Sequence, residues 1–210
     1  MKPYKILIPA LMLISGSASA LTIVGSNHDL SFTGTDDPGA GLHLEGICIY
    51  CHAPHNANTG TAAPLWNRTS YTASYTMYSN AASINMTIQA APDAFSAACL
   101  SCHDGVQALD SLINLPYKYV AATTGNFISW GGVDTDLSND HPISVVYDNT
   151  QDTEFYDAAT VIGDGLPLFT GTGSNQVECA TCHDVHDDAN GYFLRLTNDA
   201  SSLCLTCHIK

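Results

Sequence analysis

The sequence predicts a mostly irregular fold with few short helices and minimal strand, in which bound groups rather than apolar side chains supply the core. Gly, Ser, Thr, Asn and Asp recur along the 210 residues, and periodic apolar stretches are few. All eight cysteines fall into four C-x-x-C-H motifs. A chain with so little periodic apolar sequence needs another source of buried surface, as small metal-dependent folds do.

The C-x-x-C-H spacing is the attachment signature of c-type haem, in which two cysteines form thioether bonds and the histidine binds the iron. Zinc ribbons also use paired cysteines, but four cysteines complete a zinc site and leave the histidines unexplained. A thioredoxin-like pair occurs once, and a disulfide framework would not use two-residue spacings alone. The sequence therefore predicts four covalent haem c groups that form the core of a multihaem cytochrome c. The predicted attachment residues are Cys48, Cys51, Cys99, Cys102, Cys179, Cys182, Cys204 and Cys207, and the predicted iron ligands of the same motifs are His52, His103, His183 and His208.

Residues 1–20 are typical of a secretory signal peptide. Lys2 and Lys5 precede a short apolar run, and Ala18-Ser19-Ala20 matches a cleavage site. The apolar run is shorter than the ~20 residues that a membrane helix needs. We therefore expect an exported protein without a membrane anchor, located outside the cell, at its surface or in the periplasm. Residues 21–210 are expected to form a single tetrahaem domain.

The chain is strongly acidic, with a formal net charge of −14. Removal of the two leader lysines would bring it to −16, and haem propionates would add further negative charge. Such a field disfavours nucleic acid and anionic lipid as partners. It favours cationic partners or metal-ion species, although acidity also serves solubility alone.

The motifs fall into two predicted haem pairs, around residues 48–103 and 179–208. The first and third motifs extend to C-x-x-C-H-x-x-H, whereas the second and fourth do not. Arg68 and Arg195 follow the two extended motifs at similar distances, and they are either partners of haem propionates or solvated surface residues.

Regular structure is predicted to be short. Asp93 favours a helix over residues 94–102 that continues through 104–114, and Asp199 favours one over 200–207. Short strands are predicted from β-branched and tyrosine content, and a surface loop from Asp, Gly and Thr content. The predicted strands are 69–77 and 143–147, and the predicted loop is 149–175.

The second axial ligand of each iron decides between electron transfer and catalysis. Five histidines lie outside the first ligand positions, and methionines are scarce, so histidine on both faces of every iron is favoured. His55 and His186 lie three residues after their own motif histidines, a span of about 10 Å at most. If these two histidines are ligands, each must therefore bind a haem other than that of its own motif.

His141 is the third candidate, and the fourth place is open between His28 and His43. His28 is favoured because Asp29 and nearby hydroxyls could support its imidazole. His43 remains the alternative. The predicted second ligands are thus His28, His55, His141 and His186.

Five ordered segments carry a family resemblance: His28-Asp29-Leu30-Ser31, Cys51-His52-Ala53-Pro54-His55-Asn56, Pro64-Leu65-Trp66-Asn67-Arg68-Thr69, His141-Pro142-Ile143 and Cys182-His183-Asp184-Val185-His186. Together they resemble the small tetrahaem cytochromes secreted by metal-reducing bacteria and some archaea, the OmcE type that polymerises into conductive filaments. The resemblance implies the same four second ligands, one of which binds a haem of the next subunit. It also implies a head-to-tail homopolymer that passes electrons to other cytochromes or extracellular acceptors.

We therefore expect an electron-transfer protein rather than an enzyme, and we expect it to polymerise outside the cell. One alternative is a periplasmic tetrahaem shuttle that does not polymerise. Another is a multihaem reductase, which needs an open iron position and is disfavoured by the surplus of histidines.

Overall fold

The computed structural model describes residues 23–31, 46–69, 73–79, 83–107, 109, 111–115, 132–171 and 175–210. The predicted signal peptide and His43 lie outside the described residues. Most of the described chain is irregular, which confirms the prediction of a mostly irregular chain with few short helices and little strand. The helices are α1 (Ala94–His103), α2 (Ala158–Gly163), α3 (Cys179–Cys182) and α4 (Ser202–Leu205), with 3-10 turns at Ile47–Tyr50, Leu137–Asn139 and Asp199–Ser201.

The sheet consists of two short antiparallel strands, β1 (Val145–Val146) and β2 (Gln176–Val177). Val145 pairs with Val177 in this register. The strand predicted at 143–147 is thus present in its central part. The strand predicted at 69–77 is wrong for its described residues, since Thr76 makes only an isolated bridge to Asp136.

Helix α1 begins as its sequence predicts, with Asp93 accepting a hydrogen bond from the Ala94 N–H. It ends at His103, so the predicted continuation through 104–114 is wrong. The Asp104 carboxylate accepts from the N–H groups of Val106 and Gln107, and Gly105 takes a positive φ of 68°. An aspartate turn followed by a left-handed glycine terminates a helix.

The chain differs from prediction at two other places. Asp199 makes no side-chain cap, and the left-handed Ala200 and Ser201 separate its 3-10 turn from α4. The predicted loop 149–175 contains α2, because the Asp157 carboxylate accepts from the N–H groups of Ala159 and Thr160. That cap is a helix signal that sequence reasoning missed.

In the part of the chain that the structure describes, apolar packing is divided between two small clusters, each bordered by cysteines of two motifs. The first contains Val161 and Leu166, both fully buried, and Cys182 and Cys207 pack against it. The second is built around Tyr50, and Cys51 and Cys102 border it. The clusters therefore group the motifs as 48–52 with 99–103 and 179–183 with 204–208.

Helix α1 also contacts α3, which joins the 99–103 and 179–183 motifs. Within the described residues, no helix has both the length and the apolarity needed to cross a bilayer.

We expect Leu166→Ala to lower the free energy of unfolding by about 2–5 kcal/mol. The substitution removes a fully buried side chain and leaves a cavity in a small apolar cluster. Ile162→Ala, at a side chain that is 47% exposed on α2, is the matched control and should change stability by only about 0.5 kcal/mol. Chemical denaturation followed by circular dichroism measures both. Equal losses would contradict the assignment of the core.

Candidate haem sites

We call residues 48–52, 99–103, 179–183 and 204–208 the first, second, third and fourth motifs. In the first, third and fourth motifs, the backbone N–H of the histidine donates to the backbone carbonyl of the first cysteine, at 2.7, 3.1 and 3.0 Å. This bond closes each motif into a single helical turn. Both cysteines and the histidine are thereby fixed on one short segment, as attachment to one porphyrin requires.

A distant segment crosses the first and third motifs in the same way. The backbone N–H of the residue after the histidine donates to a backbone carbonyl of that segment. Ala53 donates to Leu65 in the first motif, and Asp184 donates to Phe193 in the third. Leu65 and Phe193 also share a left-handed backbone, with φ of 54° and 56°. The two extended motifs thus lie in the same local structure.

The segment returns a second bond to each of these motifs. The second-cysteine carbonyl accepts from Asn67 in the first motif and from Arg195 in the third, at 2.8 and 2.9 Å. In the fourth motif Tyr156 donates to the carbonyl of Cys207, and Ile209 donates to Glu154. The first, third and fourth motifs are therefore each held by two backbone hydrogen bonds to a crossing segment, one in each direction.

The second motif is held differently, because it forms the C-terminal end of α1.

The first and third motifs are also held by a side-chain hydrogen bond from the crossing segment. The Asn67 amide donates to the Ile49 carbonyl at 2.7 Å, and the Arg195 guanidinium donates to the Ala180 carbonyl at 2.8 Å. Asn67, rather than Arg68, is therefore the counterpart of Arg195.

Arg68 is fully buried, which excludes the solvated surface position. Its guanidinium donates to the Ser101 hydroxyl, the Ser101 carbonyl and the Leu109 carbonyl, at 3.1, 2.8 and 2.8 Å. Arg195 pairs with Asp184 at 3.0 Å. Both arginines thus brace attachment motifs in this structure.

Backbone carbonyls orient three of the candidate imidazoles. Nδ1 of His52 lies 2.7 Å from the Pro64 carbonyl oxygen, and Nδ1 of His183 lies 2.9 Å from that of Tyr192. Nδ1 of His141 lies 3.0 Å from the Pro142 carbonyl oxygen. Because a carbonyl only accepts, the neutral form of each imidazole carries its proton on Nδ1, which leaves the lone pair of Nε2 available to a metal.

Three pairs of imidazoles come together across the chain. The ring centres of His52 and His186 are 6.1 Å apart, and the rings are nearly parallel, at 18°. Those of His28 and His103 are 6.0 Å apart. Those of His141 and His208 are 6.5 Å apart.

These separations suit two ligands on one iron. An iron–nitrogen bond is about 2 Å and an imidazole centre lies about 1.2 Å beyond the nitrogen, so the two ring centres are about 6 Å apart. Each pair also contains one histidine from a C-x-x-C-H motif and one from elsewhere. The residues present therefore fit haem c with histidine on both faces.

His28 packs edge-on against Phe193, with ring centres 4.4 Å apart. Burial and the neighbouring His103 lower the pKa of His28 to about 4, so its imidazole is neutral, the form that binds metals. Its buried Nδ1 has no hydrogen-bond partner among the described residues. The predicted support from Asp29 is wrong, because that carboxylate instead accepts from Gly25 and Ser31.

Among the histidines that the structure describes, His55 and His183 remain after the three pairs are formed. Both are exposed, and within the described part of the chain neither faces another imidazole in a pair of this kind. His186 lies with His52 rather than with its own motif histidine, which agrees with the short H-x-x-H spacing.

None of the eight cysteines forms a disulfide. Burial raises the pKa of Cys51 to about 12 and that of Cys207 to about 11. Both are therefore fully protonated at neutral pH, and they are weak nucleophiles until an attachment reaction activates them.

Residues 173–210, which span the third and fourth motifs, match the family model described as a doubled CXXCH motif. This doubled motif indicates a multihaem c-type cytochrome with covalently bound haem. No curated protein matches the chain. The match covers the C-terminal motif pair, and it supports electron transfer as the general function.

We expect Arg68→Ala to destabilise the protein by about 3 kcal/mol or more, because it leaves buried carbonyl and hydroxyl groups of the second motif without their donor. Arg195→Ala, at a partly exposed ion pair, should cost about 1 kcal/mol or less. Thermal unfolding of the two purified variants measures the difference. A larger loss in the Arg195 variant would contradict the buried clamp.

Proposed function

We propose that the protein carries electrons through four haem c groups, each with histidine on both faces of its iron. The observation that carries the proposal is the set of three imidazole pairs at 6.0–6.5 Å, each joining a motif histidine to a distant one. Bound haem would supply one-electron chemistry by cycling between ferric and ferrous iron. The chain would supply attachment, both axial ligands and burial, and the haems would complete the core that the two small apolar clusters leave incomplete.

The same pairing argues against the reductase alternative. A reductase needs an iron position open to substrate, and an oxyanion substrate favours cationic side chains nearby. Here a second imidazole lies opposite three of the four motif histidines. The chain also has only six Lys and Arg residues against 20 Asp and Glu. Electron transfer without catalysis is therefore the better-supported function.

We further propose that the protein is exported and polymerises head to tail, with His55 binding the haem of the third motif in a neighbouring subunit. Of the described histidines, His55 and His183 are the two left after pairing; both are exposed, and one belongs to each extended motif. A contact that joins two different faces and does not close produces an open filament. Other cytochromes or extracellular acceptors would then receive the electrons. The discrete periplasmic shuttle is the second candidate.

Replacement of His28 by Ala tests the ligand set. In the wild-type protein we expect the visible and EPR spectra to show low-spin haem throughout, and in His28→Ala about a quarter of the haem to become high spin. His43→Ala is the matched control and should leave the spectra unchanged. The opposite result would identify His43 as the ligand in place of His28.

Replacement of His55 by Ala tests assembly. We expect the variant to lose filaments in electron micrographs of secreted material and to gain one high-spin haem per chain. His141→Ala should also gain a high-spin haem but should still polymerise, because His141 pairs within its own chain. Filaments that persist without His55 would show that it binds within its own subunit. Wild-type protein secreted only as monomers would favour the shuttle.

A further inference from the structure

A buried glutamate lies beside two of the attachment motifs and has no part in the functions described above. Glu178 immediately precedes Cys179, and it is only 1% exposed. Its carboxylate accepts hydrogen bonds from the hydroxyls of Ser96 and Ser144, the latter at 3.0 Å. A carboxylate removed from water in this way is costly unless its hydrogen bonds compensate or it takes up a proton.

Ser96 ties this carboxyl group to both neighbouring motifs. It lies on α1, three residues before Cys99, and its hydroxyl oxygen also accepts from the Cys179 N–H at 3.1 Å. Glu178 therefore lies where the second and third motifs meet, next to the cysteines that would attach their haems.

A second carboxylate faces Glu178. With its amide nitrogen turned toward them, Gln176 donates to Asp93 Oδ2 at 2.7 Å and to Glu178 Oε1 at 3.3 Å. Its oxygen then accepts from Gln89. Two carboxylates that share one amide donor resist ionising together.

The balance of these contacts favours the protonated form of Glu178. Burial is the largest effect and raises its pKa, and Asp93 raises it further, whereas the two serine hydroxyls lower it. Among the described residues, Asp93 is the carboxylate whose charge acts on Glu178. The neighbouring cysteines would not titrate once they are thioethers.

We propose that Glu178 is a proton-binding site coupled to electron transfer, taking up a proton when a haem at the second or third motif is reduced. The proposal rests on the function proposed above. In the coupled step an external donor gives one electron to ferric haem, which becomes ferrous, and solvent gives one proton to the Glu178 carboxylate. Oxidation releases both, so no other reactant is needed.

The sign follows from Coulomb's law. An added electron makes the surroundings of Glu178 more negative and raises its pKa above the value in the oxidised protein. Below both pKa values the group is neutral in each redox state, and above both it is ionised in each. Between the two pKa values the midpoint potential of the coupled haem falls as pH rises. The fall is at most about 59 mV per pH unit, which corresponds to a tenfold change in the equilibrium constant of this one-electron step.

Spectroelectrochemical titration of the haem-loaded protein against pH tests the coupling. In Glu178→Gln, which is neutral at every pH, the potential of the coupled haem should stay near the low-pH wild-type value, leaving only the slope that haem propionates contribute. Glu154→Gln is the matched control, since Glu154 is exposed and lies beside the fourth motif, and it should keep the wild-type profile. A Glu178→Gln profile identical to wild type overturns the proposal.

Infrared difference spectra of the wild-type protein provide a test that does not depend on the variant folding. Reduction should produce a carboxylic-acid carbonyl band that shifts in D2O, and its absence overturns the proposal. Low-spin haem in the same sample separates the two hypotheses. A failure with low-spin haems present counts against Glu178 alone, whereas absent or high-spin haem counts against the proposed electron-transfer function.

Discussion

The structure depends on clamping short attachment turns with backbone hydrogen bonds from distant parts of the chain. A C-x-x-C-H motif spans only one helical turn, too short to be stable by itself. In three motifs a crossing segment accepts from the residue after the histidine and donates to the second-cysteine carbonyl. The same segments orient His52 and His183 through Nδ1, so the element that stabilises each turn also determines which ring nitrogen is available to a metal.

The imidazole pairs impose a second constraint, because they join residues that lie far apart in sequence. His28 meets His103, His52 meets His186, and His141 meets His208. Closing such long loops costs conformational entropy, and the small apolar clusters offer limited compensation. A metal bound by both imidazoles of a pair would supply the missing free energy, which links cofactor attachment to folding.

Burial of polar groups follows the same geometry. Asn67 and Arg68 are fully buried because they reach the carbonyls of the first and second motifs, and Glu178 is buried where the second and third motifs meet. In an ordinary apolar core such groups would be destabilising. Here they hold separate motifs at fixed spacing, which is the geometry that electron transfer between neighbouring centres needs.

The sequence by itself determined the attachment chemistry, the mostly irregular fold and the candidate ligands, because covalent spacing and histidine counts are local properties. It also predicted the start of α1 from Asp93, but it missed α2 and the end of α1, where single aspartate turns decided the outcome. The pairing of His186 with His52, the equivalence of Asn67 with Arg195 and the burial of Glu178 came only from the tertiary structure. These depend on which distant segments cross each motif, and hydrogen bonds between segments far apart in sequence leave no periodic signal in the chain.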